Sequence, residues 1–389
     1  MSSKPGLYLD ACATTPLAQV AQVAMEAAAQ NAWANPSSLH GFGLAAAESL
    51  ERSRHSLASS LGTTADAVHV VSGASESVHL ALLGAADCLP PGRLLISAVE
   101  HPAVVAAATR LQQQGWQLAK VPVDHTGLVD LEALTQLLAP PTRMVSVIGG
   151  QSEVGTIQPL EAIGQLCQQA GVLFHSDAVQ LAPHQRLAFD ALPLDMLSLS
   201  AHKLGGPRGV GALLLRPGLQ LSSQIGGGGQ ERGLRGGTEP VVLAAGFAAA
   251  LAAVVQAPGP GAPVQQWRDA LLQALLQLPG VRLSGPDPAL QARLPHHISL
   301  LLQRPDGRPL PGRAVVRALW RQGVAASSGS ACGGNNPDTA ASPVLLAMGF
   351  DPATAAAGLR LSLGPWVDAE ALANVPMALA KAMELVAGA

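Results

Sequence analysis

The feature that most constrains the fold is an alternation of short apolar runs with longer alanine-rich stretches. The runs are rich in Val, Ile and Leu and have the length of strands, while the stretches between them have the length of helices. Such alternation predicts βαβ units, and therefore an α/β fold whose mostly parallel sheet carries helices on both faces. Six runs support this prediction: 68–71, 94–99, 144–148, 173–178, 196–200 and 211–216.

Length and a linker-like stretch predict two domains. The chain has 389 residues, whereas one domain usually has roughly 100–200. The Pro/Gly-rich stretch 257–263 is typical of a linker. We therefore expect a large domain over residues 14–256, and a smaller α+β domain formed by residues 264–389 together with residues 1–13.

The uncharged stretch 241–255 is predicted to be a buried helix. At ~1.5 Å per residue it is too short to cross the ~30 Å hydrocarbon layer of a membrane. Thr238 is placed to cap this helix, and Pro240 suits its first turn.

Composition and charge favour small molecules and proteins as partners. The net charge of -3 and the 13% of charged residues give no footprint for nucleic acid or an anionic membrane. The four cysteines are widely spaced without a C-x-x-C pair, which is typical of a reducing compartment. A strand-like stretch begins at Leu7 and leaves no room for a signal peptide. We expect a cytoplasmic protein.

The first candidate motif is the turn Ser72-Gly73-Ala74-Ser75, between a predicted strand and a helix. The first turn of a helix offers free backbone N–H groups and a positive dipole end, and Ser75 adds a hydroxyl. These groups suit a phosphate. The alternative is that the small residues only make a turn.

The second motif ends a buried strand with Asp177 and places Gln180 shortly after it. A buried acid needs a cationic partner. The protonated nitrogen of a pyridine ring would serve, and that proton makes the ring an electron sink. The alternatives are a helix cap or a salt bridge to an arginine.

The third motif is Ser200-Ala201-His202-Lys203, followed by glycines. A partly desolvated lysine can form a Schiff base with an aldehyde, and neighbouring serine and histidine side chains can bind a phosphate. The glycines match neither a dinucleotide fingerprint nor a P-loop in order or spacing.

Taken in order, the phosphate turn, the aspartate and the lysine resemble the fold-type I pyridoxal-phosphate enzymes. The resemblance extends over residues 7–364 and narrows to the class V aminotransferase group, and within it to cysteine desulfurases of the NifS and IscS type. Blocks that carry it include NPSSLHGFG (35–43), EHPAV (100–104), HSDAVQ (175–180), SAHKLGGPRGVGAL (200–213), GGGGQERGLRGGTEP (226–240), SSGSACGG (327–334) and GLRLSLG (358–364).

The resemblance implies pyridoxal 5'-phosphate as cofactor and L-cysteine as substrate. It implies that Lys203 holds the cofactor and moves the proton at the substrate's α-carbon, that His101 stacks on the ring, that Asp177 pairs with the pyridine nitrogen and that Gln180 contacts the ring oxygen. The implied contacts to the phosphate come from Ala74, Ser75, Ser200 and His202 of the same chain, and from Thr238 of a second subunit. The implied contacts to the substrate carboxylate come from Asn35 and Arg360.

Cys332 is the implied nucleophile that takes the sulfur and becomes a persulfide. Its setting is small, polar and glycine-rich, which suits a loop that must reach both the substrate and a sulfur acceptor. A buried structural role fits Cys88 and Cys167 better, and Cys12, although nearer the site, is expected to pack. No metal is predicted, because His175, His296 and His297 lack cysteine or carboxylate partners at ligand spacing.

The chain departs from this pattern at Ser152, where asparagine is usual, at Val179, where threonine is usual, and in a longer loop after Cys332. The leading expectation is a homodimeric desulfurase that produces L-alanine and passes sulfur to an acceptor protein, as in iron–sulfur cluster assembly. The alternatives are a pyridoxal-phosphate C–S lyase or selenocysteine lyase, or a weakly catalytic sulfur-relay partner.

Overall fold

The computed structural model describes residues 6–257, 262–329 and 341–388. The strands are β1 Leu7–Tyr8, β2 Val68–Val71, β3 Arg93–Ser97, β4 Gln117–Val121, β5 Thr142–Ser146, β6 Leu173–Asp177, β7 Met196–Ser200, β8 Gly211–Leu215, β9 Val281–Leu283, β10 His297–Leu302, β11 Val324–Ala325 and β12 Gly358–Ser362. The helices are α1 Gln19–Asn31, α2 Gly41–Ser60, α3 Ala74–Ala86, α4 Pro102–Gln113, α5 Leu131–Leu137, α6 Leu160–Ala170, α7 Val241–Gln256, α8 Ala262–Leu276, α9 Gly312–Arg321, α10 Pro343–Ala347, α11 Pro352–Ala355 and α12 Val375–Ala387.

Seven strands form the central sheet, in the order β2-β8-β7-β6-β5-β3-β4. Neighbouring strands from β7 to β4 are parallel, and β8 runs antiparallel to both β7 and β2. The six apolar runs of the sequence all lie in this sheet. The sequence missed β4, an edge strand whose residues are mostly exposed or half-buried and which therefore lacks an apolar run.

Helices cover both faces of the sheet because successive side chains of each strand point to opposite sides. On β3, Leu95 belongs to one hydrophobic core with α2, α6 and α7, whereas Leu94 and Ile96 belong to another with α3 and α4. The fold is therefore the predicted α/β class, with helices packed on each face of a mostly parallel sheet.

A smaller unit has its own core. The antiparallel sheet β12-β10-β9 is packed with α8, α9 and α12. The amino-terminal residues return to it as expected: β1 pairs parallel with β11, and Leu9 is buried in this second core. The exact domain boundaries stay a prediction.

Two local expectations are wrong. Pro240, not Thr238, is the residue before the first turn of α7, and no side chain caps that helix. Cys88 follows the end of α3 and is exposed, whereas Cys167 is buried on α6 as expected. In the part of the chain that the structure describes, no helix is long and apolar enough to cross a membrane.

Candidate active site

Polar side chains gather where parallel strands of the central sheet end. Asp177 is the last residue of β6, Ser200 is the last residue of β7, and His101 follows β3. Lys203 ends a single 3-10 turn directly after β7. Because the carboxyl ends of parallel strands share one edge of a sheet, these residues face the same crevice. The pKa of His101 responds to both Asp177 and Lys203, which places all three in each other's fields.

Lys203 is held by main-chain carbonyls. Its Nζ donates to the carbonyl oxygen of Cys12 at 2.6 Å and to that of Ala13 at 2.7 Å. Burial lowers the pKa of Lys203, and the Arg360 guanidinium lowers it further, while Cys12, Asp10 and Asp177 oppose this shift. A lysine with a lowered pKa is more readily the free amine that attacks an aldehyde.

Asp177 is a buried acid, with 4% of its surface exposed. Its Oδ1 accepts a hydrogen bond from the main-chain N–H of Val179 at 3.0 Å. Burial raises the pKa of Asp177, and His101 and Lys203 act against that rise. Within the described ranges no lysine or arginine forms an ion pair with this carboxyl. The carboxyl therefore suits a cationic group bound from outside the chain.

The neighbours of Asp177 and Lys203 are held by the amino-terminal segment. Gln180 Nε2 donates to the Cys12 carbonyl oxygen at 3.0 Å. Thr14 Oγ1 lies 3.1 Å from His202 Nδ1. Burial and the nearby cation of Lys203 lower the pKa of His202 to about 4, so its imidazole is neutral near pH 7.

The predicted phosphate turn opens α3. Gly73 precedes the helix, no side chain caps it, and Ser75 is exposed in its first turn. The turn lies against β8: a Cβ on Gly211 would come within 2.8 Å of the Gly73 Cα atom, so only glycine leaves room for this approach. The helix start therefore presents N–H groups beside the strand ends, as an anion site requires.

Arg360 enters the site from the smaller sheet, on β12. It is buried, and its Nη2 pairs with the Asp10 carboxylate at 2.7 Å while its Nη1 donates to the Ser152 carbonyl oxygen at 3.1 Å. Burial acts to lower the pKa of Arg360, but Cys12 and Asp10 raise it overall. Its Nε has no partner among the described residues. The guanidinium is thus a held cation, near enough to Lys203 to lower the pKa of that lysine.

Ser152, which replaces the usual asparagine, acts here through its main chain. Its carbonyl oxygen accepts hydrogen bonds from Arg360 Nη1 at 3.1 Å and from His297 Nε2 at 3.0 Å. Because the carbonyl does not depend on the side chain, the change to serine leaves this anchor of Arg360 in place.

Asn35 and Thr238 form no hydrogen bond or ion pair with this cluster in the described part of the chain. Asn35 is exposed and its Oδ1 accepts from the main-chain N–H of Ser37 at 2.9 Å. Thr238 is exposed in the glycine-rich segment before α7. Their roles stay predictions, and Thr238 was expected to act on a second subunit.

Cys332 lies outside the described residues. The chain that leads to it passes beside Arg360, because Ser327 and Arg360 exchange two main-chain hydrogen bonds, at 3.1 and 2.6 Å. The segment with the implied nucleophile therefore begins next to the residue implied in substrate binding.

Sequence reasoning missed the part played by residues 10–15. Cys12 was expected only to pack, yet its carbonyl receives both Lys203 and Gln180, and its Sγ lies 3.2 Å from His296 Nε2. The ring of His296 is stacked on that of His184, with 3.7 Å between the centroids. The partners lie far from Cys12 in sequence, so no local pattern could have indicated these contacts.

Comparison with known proteins agrees with this arrangement. The family model for aminotransferase class-V matches residues 7–375. The chain belongs to this family. It is 39% identical to a cysteine desulfurase of Cereibacter sphaeroides, over 93% of this chain and 92% of that protein, and 36% identical to a cysteine desulfurase of Sinorhizobium fredii, over 92% and 91%.

Solved structures give the same relationship. A NifS-like protein superposes with a TM-score of 0.87 at 30% identity, covering 99% of this chain and 100% of that one. A structure described as SspA in complex with cysteine gives 0.79 at 28% identity, covering 93% and 100%. The resemblance to cysteine desulfurases that the sequence motifs indicated is confirmed.

Proposed function

We propose that this chain is a pyridoxal-phosphate-dependent cysteine desulfurase that converts L-cysteine to L-alanine and leaves the sulfur on Cys332 as a persulfide. The observation that carries the proposal is the meeting of three groups at one crevice. These are the carbonyl-held amine of Lys203, the buried carboxyl of Asp177 and the guanidinium of Arg360. The similarity to proteins named cysteine desulfurase supports the same activity.

The residues present fit pyridoxal phosphate. Asp177 is a buried carboxyl without a lysine or arginine partner in the described part of the chain, which is what a protonated pyridine nitrogen needs. His202 is neutral, and with its Nδ1 beside the Thr14 hydroxyl its Nε2 proton is available to a phosphate oxygen. Further phosphate contacts would come from Ala74, Ser75 and Ser200 of the same chain and from Thr238 of a second subunit. Gln180 would contact the ring oxygen, and His101 would stack on the ring.

When bound, the cofactor supplies a conjugated ring that accepts electrons from the substrate's α-carbon. Lys203 holds the cofactor, removes the α-proton and returns it. Its place on the turn after β7 and its lowered pKa suit this role. Arg360 and Asn35 orient the substrate through its carboxylate, with Arg360 fixed by Asp10 and Ser152.

Cys332 takes the sulfur. Its thiolate forms an S–S bond with the substrate's γ-sulfur, the C–S bond breaks, and its electron pair stays with carbon, which gains a proton to give the methyl group of alanine. The persulfide then passes its outer sulfur to an acceptor protein or to an added thiol. The main-chain pairing of Ser327 with Arg360, just before this segment, supports the approach of Cys332 to bound cysteine.

The test measures alanine, sulfide and pyruvate formed from L-cysteine by the cofactor-loaded protein with added thiol. We expect alanine and sulfide in equal amounts. Cys332→Ser should lose both by orders of magnitude while keeping the cofactor, because a hydroxyl is a poor nucleophile toward sulfur. Cys88→Ser, at an exposed cysteine, is the matched control and should turn over normally.

Other products would contradict the proposal. Pyruvate with sulfide would indicate a C–S lyase, and normal turnover by Cys332→Ser would exclude the persulfide step. A protein that binds the cofactor but forms neither alanine nor pyruvate, from cysteine or from selenocysteine, would instead fit a weakly catalytic sulfur-relay partner.

We also propose a homodimer. Large hydrophobic side chains are exposed just before and along α1, in the segment that follows it and at the start of α2: Leu17, Val20, Val23, Trp33, Leu39, Phe42 and Leu44. Both helices pack on α7, which follows Thr238, so this apolar surface continues towards the residue expected to reach a second subunit. A two-fold interface would cover the surface and complete two sites at once.

Light scattering should give twice the chain mass. Phe42→Glu should yield monomers with weakened cofactor binding, whereas Trp320→Glu, at an exposed residue of α9, should remain dimeric. A wild-type monomer that binds the cofactor fully would contradict this proposal. The cytoplasmic location and the acceptor protein stay predictions from the sequence.

A further inference from the structure

Residues 10–15, here called the amino-terminal segment, are fixed at both ends. At one end the main-chain N–H groups of Ala11 and Cys12 donate to Ser362, to its carbonyl oxygen at 3.1 Å and its Oγ at 2.9 Å. At the other end the N–H and hydroxyl of Thr15 both donate to the His202 carbonyl oxygen at 3.0 Å. The segment thus connects the smaller sheet to the turn that carries Lys203.

The middle of the amino-terminal segment is a turn that presents two carbonyls to Lys203. The N–H of Ala13 donates to the Asp10 carbonyl oxygen at 3.0 Å, which closes the turn. The carbonyls of Cys12 and Ala13 then both accept from Lys203 Nζ, at 2.6 and 2.7 Å. Two short bonds to a single amine require both carbonyls to be held in one orientation.

A side-chain hydrogen bond between Cys12 and His296 fixes this turn. Cys12 is 2% exposed and His296 is 1% exposed, and their Sγ and Nε2 atoms lie 3.2 Å apart. Burial raises the pKa of Cys12 and holds the pKa of His296 well below its usual range, so the hydrogen bond joins a neutral thiol to a neutral imidazole. The stacked ring of His184 fixes the plane of His296. A buried thiol of this kind is inert as a nucleophile.

We propose that Cys12 and His296 are positioning residues for Lys203: their hydrogen bond holds the two carbonyls that receive the lysine amine whenever it is not bonded to the cofactor. The inference rests on the proposed function, which makes Lys203 the cofactor-bearing lysine. An amine that leaves the cofactor and later moves a proton at the α-carbon must be kept in one place between these steps, and the Cys12 and Ala13 carbonyls provide that place.

The first test follows capture of pyridoxal phosphate by the cofactor-free protein as a function of pH, from the visible absorbance of the product. Hydrogen bonds to the ammonium form stabilise it, so loosening the carbonyls in Cys12→Ala should move the midpoint of capture to lower pH by roughly half a unit. Cys12→Ser retains a group that can hydrogen-bond to His296 and should restore the wild-type midpoint. The titratable and charged groups around Lys203 in these variants are Asp10, His101, Asp177, His202, Arg208 and Arg360.

The second test compares turnover of cysteine with hydrogen or deuterium at the α-carbon. A misplaced lysine slows proton transfer, so Cys12→Ala should lower kcat several-fold, raise the isotope effect and leave KM nearly unchanged, while Cys12→Ser behaves as wild type. Cys167→Ala removes an equally buried thiol on α6 and controls for a general loss of packing.

The proposal is wrong if Cys12→Ala matches wild type in both the midpoint and the isotope effect, or if Cys12→Ser matches Cys12→Ala. Failure of the proposed function gives different results: a wild-type protein that captures no cofactor would overturn both proposals, whereas one that captures the cofactor and forms pyruvate would overturn the desulfurase activity alone.

Discussion

The site has two walls of different origin. The sheet wall, formed by His101, Asp177, Ser200 and Lys203, lies at the ends of parallel strands of the central sheet. The returning wall is formed by the amino-terminal segment together with Arg360 and His296, and belongs to the smaller unit. Strand ends are placed by local sequence, whereas the returning wall is assembled from residues as far apart as Asp10 and Arg360.

The two walls also differ in how their buried charged side chains are paired. In the sheet wall the buried carboxyl of Asp177 has no lysine or arginine partner among the described residues. In the returning wall the guanidinium of Arg360 already pairs with Asp10. A buried charge without a partner is costly. The difference agrees with our proposal that the sheet wall takes up an added cationic ring and that the returning wall, whose arginine is already paired, supplies substrate contacts.

The largest expected effect is in the sheet wall. Lys203→Ala should abolish the yellow colour of the bound cofactor and lower turnover by roughly 10⁴-fold or more, because both the covalent link and the proton transfer are lost. Lys120→Ala, at an exposed lysine of β4, is the control. Absorbance and alanine formation measure the two losses. A Lys203→Ala variant that is yellow and active would contradict the assignment of cofactor binding to the sheet wall.

An intermediate effect concerns six buried or half-buried histidines. Burial lowers the pKa of His69 and His202 to about 4, lowers that of His175 and His184 to about 3, and holds those of His296 and His297 well below their usual range. These groups stay neutral in the folded protein but bind protons near pH 6.5 once unfolded, so their stabilisation is present above that pH and is lost as the pH falls.

Buried carboxyls act in the opposite direction. Burial raises the pKa of Glu100 to about 8 and that of Glu153 to about 7, and it raises those of Asp177 and Glu231. Glu100 and Glu153 keep protons in the folded state that they release on unfolding above about pH 4.5. The histidines outnumber these carboxyls, so between pH 6 and 5 the unfolded chain binds more protons than the folded chain, and the free energy of unfolding should fall by about 1.4 kcal/mol for each net proton.

Urea unfolding of the cofactor-free protein at several pH values measures this slope. His184→Asn should make it shallower by about one proton, whereas His55→Asn, at an exposed position, should leave it unchanged. Stability that rises as the pH falls from 6 to 5 would contradict the assignment of these histidines as neutral.

The smallest expected effect is in the returning wall. Arg360→Lys keeps the charge and the Asp10 partner but loses the planar fork, so KM for cysteine should rise by about 10- to 100-fold with little change in kcat or cofactor colour. Arg304→Lys is the control, since Arg304 donates to the Ala387 carbonyl oxygen in the smaller unit. Loss of cofactor in Arg360→Lys would show that the returning wall also holds the ring.

Local sequence accounts for most of the fold and for the sheet wall. Apolar runs located six strands of the central sheet, and polar residues directly after them marked its carboxyl edge, because strand periodicity and strand ends are written in consecutive residues. The sequence pattern did not predict β4, because most residues of that edge strand are exposed or half-buried and form no apolar run. The expected cap of α7 by Thr238 is also absent.

The sequence by itself therefore determined the α/β class, the strands that end at Asp177 and just before Lys203, and the family. The tertiary structure alone decided that Cys12 and Ala13 receive the lysine amine, that Cys12 bonds to His296, and that Arg360 is held by Asp10. The physical reason is the separation in sequence of the residues that interact. A strand end is fixed by its neighbours in the chain, whereas these contacts form only when the amino-terminal segment is packed between two separately folded cores.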